Sequence, residues 1–128
     1  MREFKFRAWD NSEMFYNVRC GGMFDGIPTA PTVWDEKKKD WVNLTGQPYT
    51  KIMQWTGLKD KNEQEIYEGD ILKDKNGLGE VKWVQEHSAF LVYVPNPAGY
   101  HYLESDGHLK ESEIVGNIFE NRALLEIL

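Results

Sequence analysis

From Lys51 onward the chain breaks into short alternating apolar segments separated by turn residues, and this rhythm leaves few folds open to it. Strands are predicted at 51–56, 70–74, 79–84, 89–94, 100–103 and 113–119. Between them stand 59–62, Asn76-Gly77, 86–88, 95–99 and 105–107, each rich in residues that tolerate tight backbone geometry. Five or six short strands at this spacing favour a small closed or nearly closed barrel over an open sheet, because closure removes exposed edges. An SH3-like β-barrel is the expected architecture. Asn121 stands where it would cap one or two final helical turns, setting Leu124, Leu125 and Leu128 on one side.

The first half is looser. In 3–9, Phe4, Phe6 and Ala8 share one face of a strand and Lys5, Arg7 and Trp9 the other, because side chains alternate across a strand. Asp10-Asn11-Ser12 is turn chemistry, after which 14–18 returns as a hairpin partner. Residues 21–31 collect Gly21, Gly22, Gly26, Pro28 and Pro31 without a clean period and read as a long loop, a feature that usually serves contacts or mobility. Residues 32–34 and 41–44 flank the charged tip 35–40 as a second hairpin. The expected protein is mainly β: N-terminal hairpins and loops over 1–50, the SH3-like barrel over 51–128, and a short C-terminal helical turn.

At 128 residues the chain can bury about two thirds of the surface its unfolded form exposes, so a real core is attainable. Composition is that of a globular protein, 41% hydrophobic and 28% charged. No apolar run approaches the roughly 20 residues that a bilayer requires, and the N-terminus reads as a strand rather than a secretion signal, so the cytoplasm is the expected location. Cys20 is the single cysteine, which excludes an internal disulfide and a multi-cysteine zinc site. The net charge of −6 is uneven: residues 57–128 carry seven Lys and Arg against fourteen Asp and Glu. Nucleic-acid binding needs phosphate-neutralising cations, so general DNA or RNA affinity is disfavoured.

Chemistry has few candidates. His87, His101 and His108 all fall in or beside predicted turns, where solvated loop histidines are the expected reading, and Cys20 reads as an inert thiol. Glu65, Glu68 and Asp70 around Tyr67 come nearest to an acid pair. Their competing role is structural, since Gly69 supplies unusual backbone angles and Asp70 can accept N–H bonds where the next strand begins. Zinc-ligand spacing, a calcium loop and a phosphate-cradling glycine loop are absent from the sequence, so no catalytic residue, cofactor or metal is expected. Aromatics make up 13% of the chain. Trp55 and Trp83 are expected in the core, whereas Trp9 shares a face with Lys5 and Arg7, a basic and aromatic stripe that is the one sequence support for nucleic-acid contact. Phe90, Leu91, Val92, Tyr93 and Val94 are apolar on both faces, which marks a strand buried on both sides by its own domain or by another subunit.

The ordered blocks REFKFRAWD with MFYN, then MQWTGLKDKN and EIYEGDIL, then GEVKW, then EIVGNIFEN ahead of Leu124 and Leu125 carry a family resemblance that runs nearly end to end. The chain resembles the YopX-like proteins of bacteriophages and prophages. That resemblance implies an SH3-like barrel in the second half and a phage or prophage setting, and it implies no particular reaction. The expected function is a non-enzymatic accessory or assembly protein that binds protein and self-associates as a homo-oligomer, with a phage or host protein as a further partner. The alternative is a nucleic-acid-associated factor using the barrel face and the Lys5, Arg7, Trp9 stripe. An enzyme centred on Glu68 and Asp70 ranks last.

Overall fold

A computed structural model describes residues 5–19, 23–24, 27–28, 32–43, 51–74, 77–95, 98–103 and 111–126. The chain divides into two compact units, Met1–Gln54 and Trp55–Leu128. Both are mainly β, and a short α-helix lies near the C-terminus.

The first unit holds β1 (Phe6–Trp9), β2 (Met14–Arg19), β3 (Met23–Phe24), β4 (Ile27–Pro28), β5 (Thr32–Asp35), β6 (Asp40–Asn43) and the opening residues of β7 (Lys51–Lys59). Its antiparallel sheet runs in the order β6-β5-β2-β1-β7. The two hairpin corners are made by aspartates: Asp10 Oδ1 accepts the N–H groups of Ser12 and Glu13, both at 2.9 Å. Asp35 Oδ1 does the same for Lys37 at 2.8 Å and Lys38 at 3.1 Å. A short side-chain acceptor two residues before a turn N–H replaces a backbone partner, which is why Asp recurs there. Ala8 and Val18 are buried, with Phe6, Phe15 and Ile52 packed against them. One expectation needs correcting. The stretch 21–31 is not loop throughout, because β3 and β4 pair as a small antiparallel hairpin with Met23 opposite Pro28 and Phe24 opposite Ile27. Strands of two residues are too short to show a period.

The second unit holds the remainder of β7, then β8 (Glu65–Tyr67), β9 (Asp70–Asp74), β10 (Gly77–Val84), β11 (Ala89–Pro95), β12 (Ala98–Tyr102), β13 (Glu113–Asn117) and α1 (Ala123–Glu126). β7 pairs with β8, and the five-stranded antiparallel sheet runs β12-β11-β10-β9-β13. A four-strand meander whose fifth strand returns beside the first is consistent with the SH3-like barrel expected from the spacing. Ile66, Leu72, Val81, Val92, Val94 and Leu103 form the core, with Leu58, Phe90 and Ile114 against it. Gly79 is required by packing: a Cβ there would collide with Val92 Cγ1 and stand 2.9 Å from the Tyr93 carbonyl oxygen.

The C-terminal helix differs from expectation in its cap. Asn121 does not cap α1 with its side chain; Oδ1 instead accepts the Asn117 N–H at 3.2 Å, and Leu124 N–H bonds the Asn121 backbone carbonyl at 2.9 Å. α1 packs against β10, with Leu124 and Leu125 half-buried, while Leu128 lies outside the described residues.

Candidate functional site

The blocks that carry the family resemblance turn out to be corners. In MQWTGLKDKN, Gly57 has φ +90° inside the irregular register between β7 and β8, a bulge that an L-residue enters only with strain. The side chains beside it close the irregularity: Thr56 Oγ1 donates to the Ile66 carbonyl at 2.8 Å and accepts the Leu58 N–H at 3.2 Å, while Trp55 Nε1 donates to the Leu58 carbonyl at 3.0 Å.

Asp60 anchors the following turn. It is buried, and its Oδ1 accepts the N–H groups of Asn62 and Gln64, each at 2.9 Å. Its Oδ2 accepts the N–H of Ile114 on β13 at 3.0 Å, across a separation of 54 residues. The Lys61 N–H adds a second tie to the same region, donating to the Ser112 carbonyl at 3.0 Å. In EIYEGDIL the corner is Gly69, φ +91°, followed by Asp70, whose Oδ2 accepts the Tyr67 N–H at 2.8 Å in a buried position. The Gly69 N–H donates to the Val81 carbonyl and the Gly69 carbonyl accepts from the Ile118 N–H, both at 2.9 Å, so this one residue ties β10 to the chain just past β13. In EIVGNIFEN, Asn117 Oδ1 accepts the N–H groups of Phe119 and Glu120, each at 3.0 Å, and the chain folds back so tightly that a Cβ on Gly116 would meet the Asn121 side chain.

These polar residues therefore serve the backbone. Sequence reasoning anticipated this for Gly69 and Asp70 and missed it for Asp60, whose Asx-turn signal, Asp with N–H groups two and four residues on, was present in the sequence as Asp60-Lys61-Asn62. Its long-range partner carried no local signal. Among the described residues no group of three His, Cys, Asp or Glu lies close enough to hold a metal ion.

The other residues singled out by sequence are dispersed. Arg7 is 2% exposed, so its guanidinium is not presented to a nucleic acid in this conformation. Arg7 and Trp9 alternate along β1 and Lys5 directly precedes it, but alternation could not say how far they are covered; both Lys5 and Trp9 are half-buried. A different cation meets aromatics in the first unit: Arg19 lies 3.8 Å over the Trp41 ring, and Trp41 stands edge-on to Trp34 at 5.6 Å between centroids. His87 is exposed, His101 half-buried, and Cys20 and His108 fall outside the described residues. The strand 90–94 is apolar on both faces because its own chain covers it: Leu91, Val92 and Val94 are buried, and Phe90 packs on the core. Tyr93 lies between Lys82, 5.0 Å from its ring centroid, and Tyr100, 5.2 Å ring to ring. Phe90, Leu91, Val92, Tyr93 and Val94 are thus corrected as a self-association surface; packing inside the unit accounts for them.

What the second unit leaves open is one strand farther out. Tyr100 and Tyr102 are each 51% exposed and alternate along β12, so they share a face, with Tyr93 across from Tyr100 in register. His87 stands edge-on to Tyr102 at 6.4 Å. Trp83, 44% exposed, is edge-on to Phe90 at 5.1 Å and donates from Nε1 to Gln85 Oε1 at 2.9 Å. Large aromatics with a polar tip are the residues most enriched in protein-binding patches. Among the described residues β12 has a strand neighbour on one side only.

Comparison with known proteins identifies the lineage. The crystal structure of protein EF1440 from Enterococcus faecalis is similar at 26% identity and a TM-score of 0.61, covering 98% of this chain and 99% of that one. The crystal structure of YopX from Bacillus subtilis is similar in fold, at 15% identity and a TM-score of 0.64 over 97% and 98% of the two chains. No curated protein matches the sequence significantly. The family model described as "YopX protein" matches residues 5–126, and the chain belongs to the YopX family.

Proposed function

We propose that this chain is a non-enzymatic, cytoplasmic accessory protein of a phage or prophage, a protein-binding module that self-associates. The observation that carries the binding role is the exposed pair Tyr100 and Tyr102, which the core does not use and which alternate on a strand at the edge of the sheet. Support for a non-enzymatic role is the commitment of Asp60 and Asp70, the most buried carboxylates of the family blocks, to backbone N–H groups. The phage setting is supported by the family resemblance alone. Light scattering over a dilution series tests the reading: a mass that rises with concentration is expected, and a strict monomer at every concentration contradicts it.

A second reading, a nucleic-acid-associated factor, is supported by Arg19 stacked over Trp41 beside Trp34 rather than by Lys5, Arg7 and Trp9. A cation on an aromatic platform is how base and backbone of a single strand are held together. A salt-sensitive gel shift with single-stranded DNA, lost in Trp41→Ala, would favour it; no shift at low salt would end it.

A further inference from the structure

We propose that the second copy docks edge to edge on β12, its own β12 running antiparallel, so that the five-stranded sheets of two chains become one. The inference rests on the self-association just proposed and adds where and in what register the copies meet.

Sheets usually blunt an open edge with charge, proline or a bulge, since unpaired backbone groups recruit other strands. The two edges of this sheet are treated differently. β13 has an irregular register between Ile114 and Gly116 and carries Glu113, which is ion-paired to Lys61 at 3.2 Å. β12 reads Ala98, Gly99, Tyr100, His101, Tyr102: no Lys, Arg, Asp, Glu or proline, and unbroken register with β11. Of the two edges among the described residues, it is the one without a formal charge, a proline or a register break.

The strand also fits itself. In an antiparallel pairing centred on Tyr100, Ala98 of one copy faces Tyr102 of the other, Gly99 faces His101, and Tyr100 faces Tyr100. Each bulky side chain outside the centre meets a small one, every residue of β12 is used, and no formal like charges are opposed. Cross-strand aromatic pairs and large residues covering an edge glycine are both stabilising arrangements. A register centred on His101 would instead set Tyr100 against Tyr102 and leave both Ala98 and Gly99 without an opposite in β12. A foreign strand would have no such built-in match of sizes. The contact is isologous, so it closes as a dimer and does not propagate.

Because Tyr100 faces its own copy, opposite charges there distinguish this contact from any other. Tyr100→Lys and Tyr100→Glu, each checked for fold by circular dichroism, would be studied alone and as an equimolar mixture by sedimentation velocity at several concentrations. The parent is expected to dimerise, each variant alone to sediment as a monomer, and the mixture to recover the dimer. Variants that dimerise alone like the parent would overturn the β12 contact while leaving self-association standing. A mixture that stays monomeric would overturn the Tyr100-centred register, and a parent that never dimerises would overturn both this inference and the reading beneath it.

Discussion

Asp10 and Asp35 in the first unit do the same chemical work as Asp60 and Asp70 in the second, yet the two pairs stand in opposite surroundings. The first pair caps turn N–H groups two and three residues ahead, in solvent. The second pair is buried, and Asp60 reaches a partner 54 residues away. A solvated N–H that loses its carboxylate finds water, whereas a buried one goes unpaired and costs the full desolvation of the group. The same turn residue is therefore a local convenience in one unit and a tie across the fold in the other. In the family blocks of the second unit, Asp60, Asp70 and Asn117 all direct side-chain oxygens to backbone N–H groups.

The largest expected effect is that of Asp60→Ala, which strips an acceptor from Asn62, Gln64 and Ile114 together and should cost about 3 kcal/mol. Amide hydrogen exchange can localise the damage, with Ile114 losing protection along with the turn; protection retained at Ile114 would break the comparison. Gly79→Ala should follow at about 2 kcal/mol, because its methyl group would be driven into Val92 and the Tyr93 carbonyl, and thermal unfolding would register it. Asp70→Ala removes one buried acceptor and should cost roughly 1 to 2 kcal/mol. An unchanged melting midpoint would return Asp70 to the functional candidates.

The smallest effect belongs to pH. N–H bonds from Glu13 and Ser12 hold the Asp10 carboxyl below its ordinary value, and bonds from Lys38 and Lys37, aided by their charges, do the same for Asp35. A carboxyl depressed in the folded state contributes stability above its unfolded pKa, and that contribution is lost as pH falls through the folded value. Both groups are solvated and screened, so the contribution is slight. Carbon-13 NMR should show both titrating below ordinary aspartates, while Asp10→Asn scarcely alters the acid limb of the unfolding curve. Ordinary titration would remove the local caps from the account.

How much of this was legible in sequence varied with the range of the interaction. β9 was read over its full span, Asp70–Asp74, because Gly69-Asp70 and Asn76-Gly77 punctuate both ends. β8 has three residues and lies within a run that looks like turn, and β3 and β4 have two each, so none offered a period. The Gly69 corner was legible since glycine before a strand-opening Asp has a local reason to be there. The reach of Asp60 to Ile114 was not, because nothing in either neighbourhood names the other. Alternation grouped Arg7 with Lys5 and Trp9 and marked 90–94 as apolar on both faces, but whether a face is covered depends on what packs over it, which is a tertiary fact. For the same reason Tyr100 and Tyr102, alternating in plain sight, were not distinguished from core aromatics.

The most direct test of the contrast is urea unfolding of Asp60→Ala and Asp35→Ala side by side, followed by far-ultraviolet circular dichroism. Asp60→Ala should unfold at markedly lower denaturant than the parent and Asp35→Ala within error of it. Two variants that lose stability equally, or an Asp60→Ala as stable as the parent, would contradict the claim that the buried aspartates hold the second unit together.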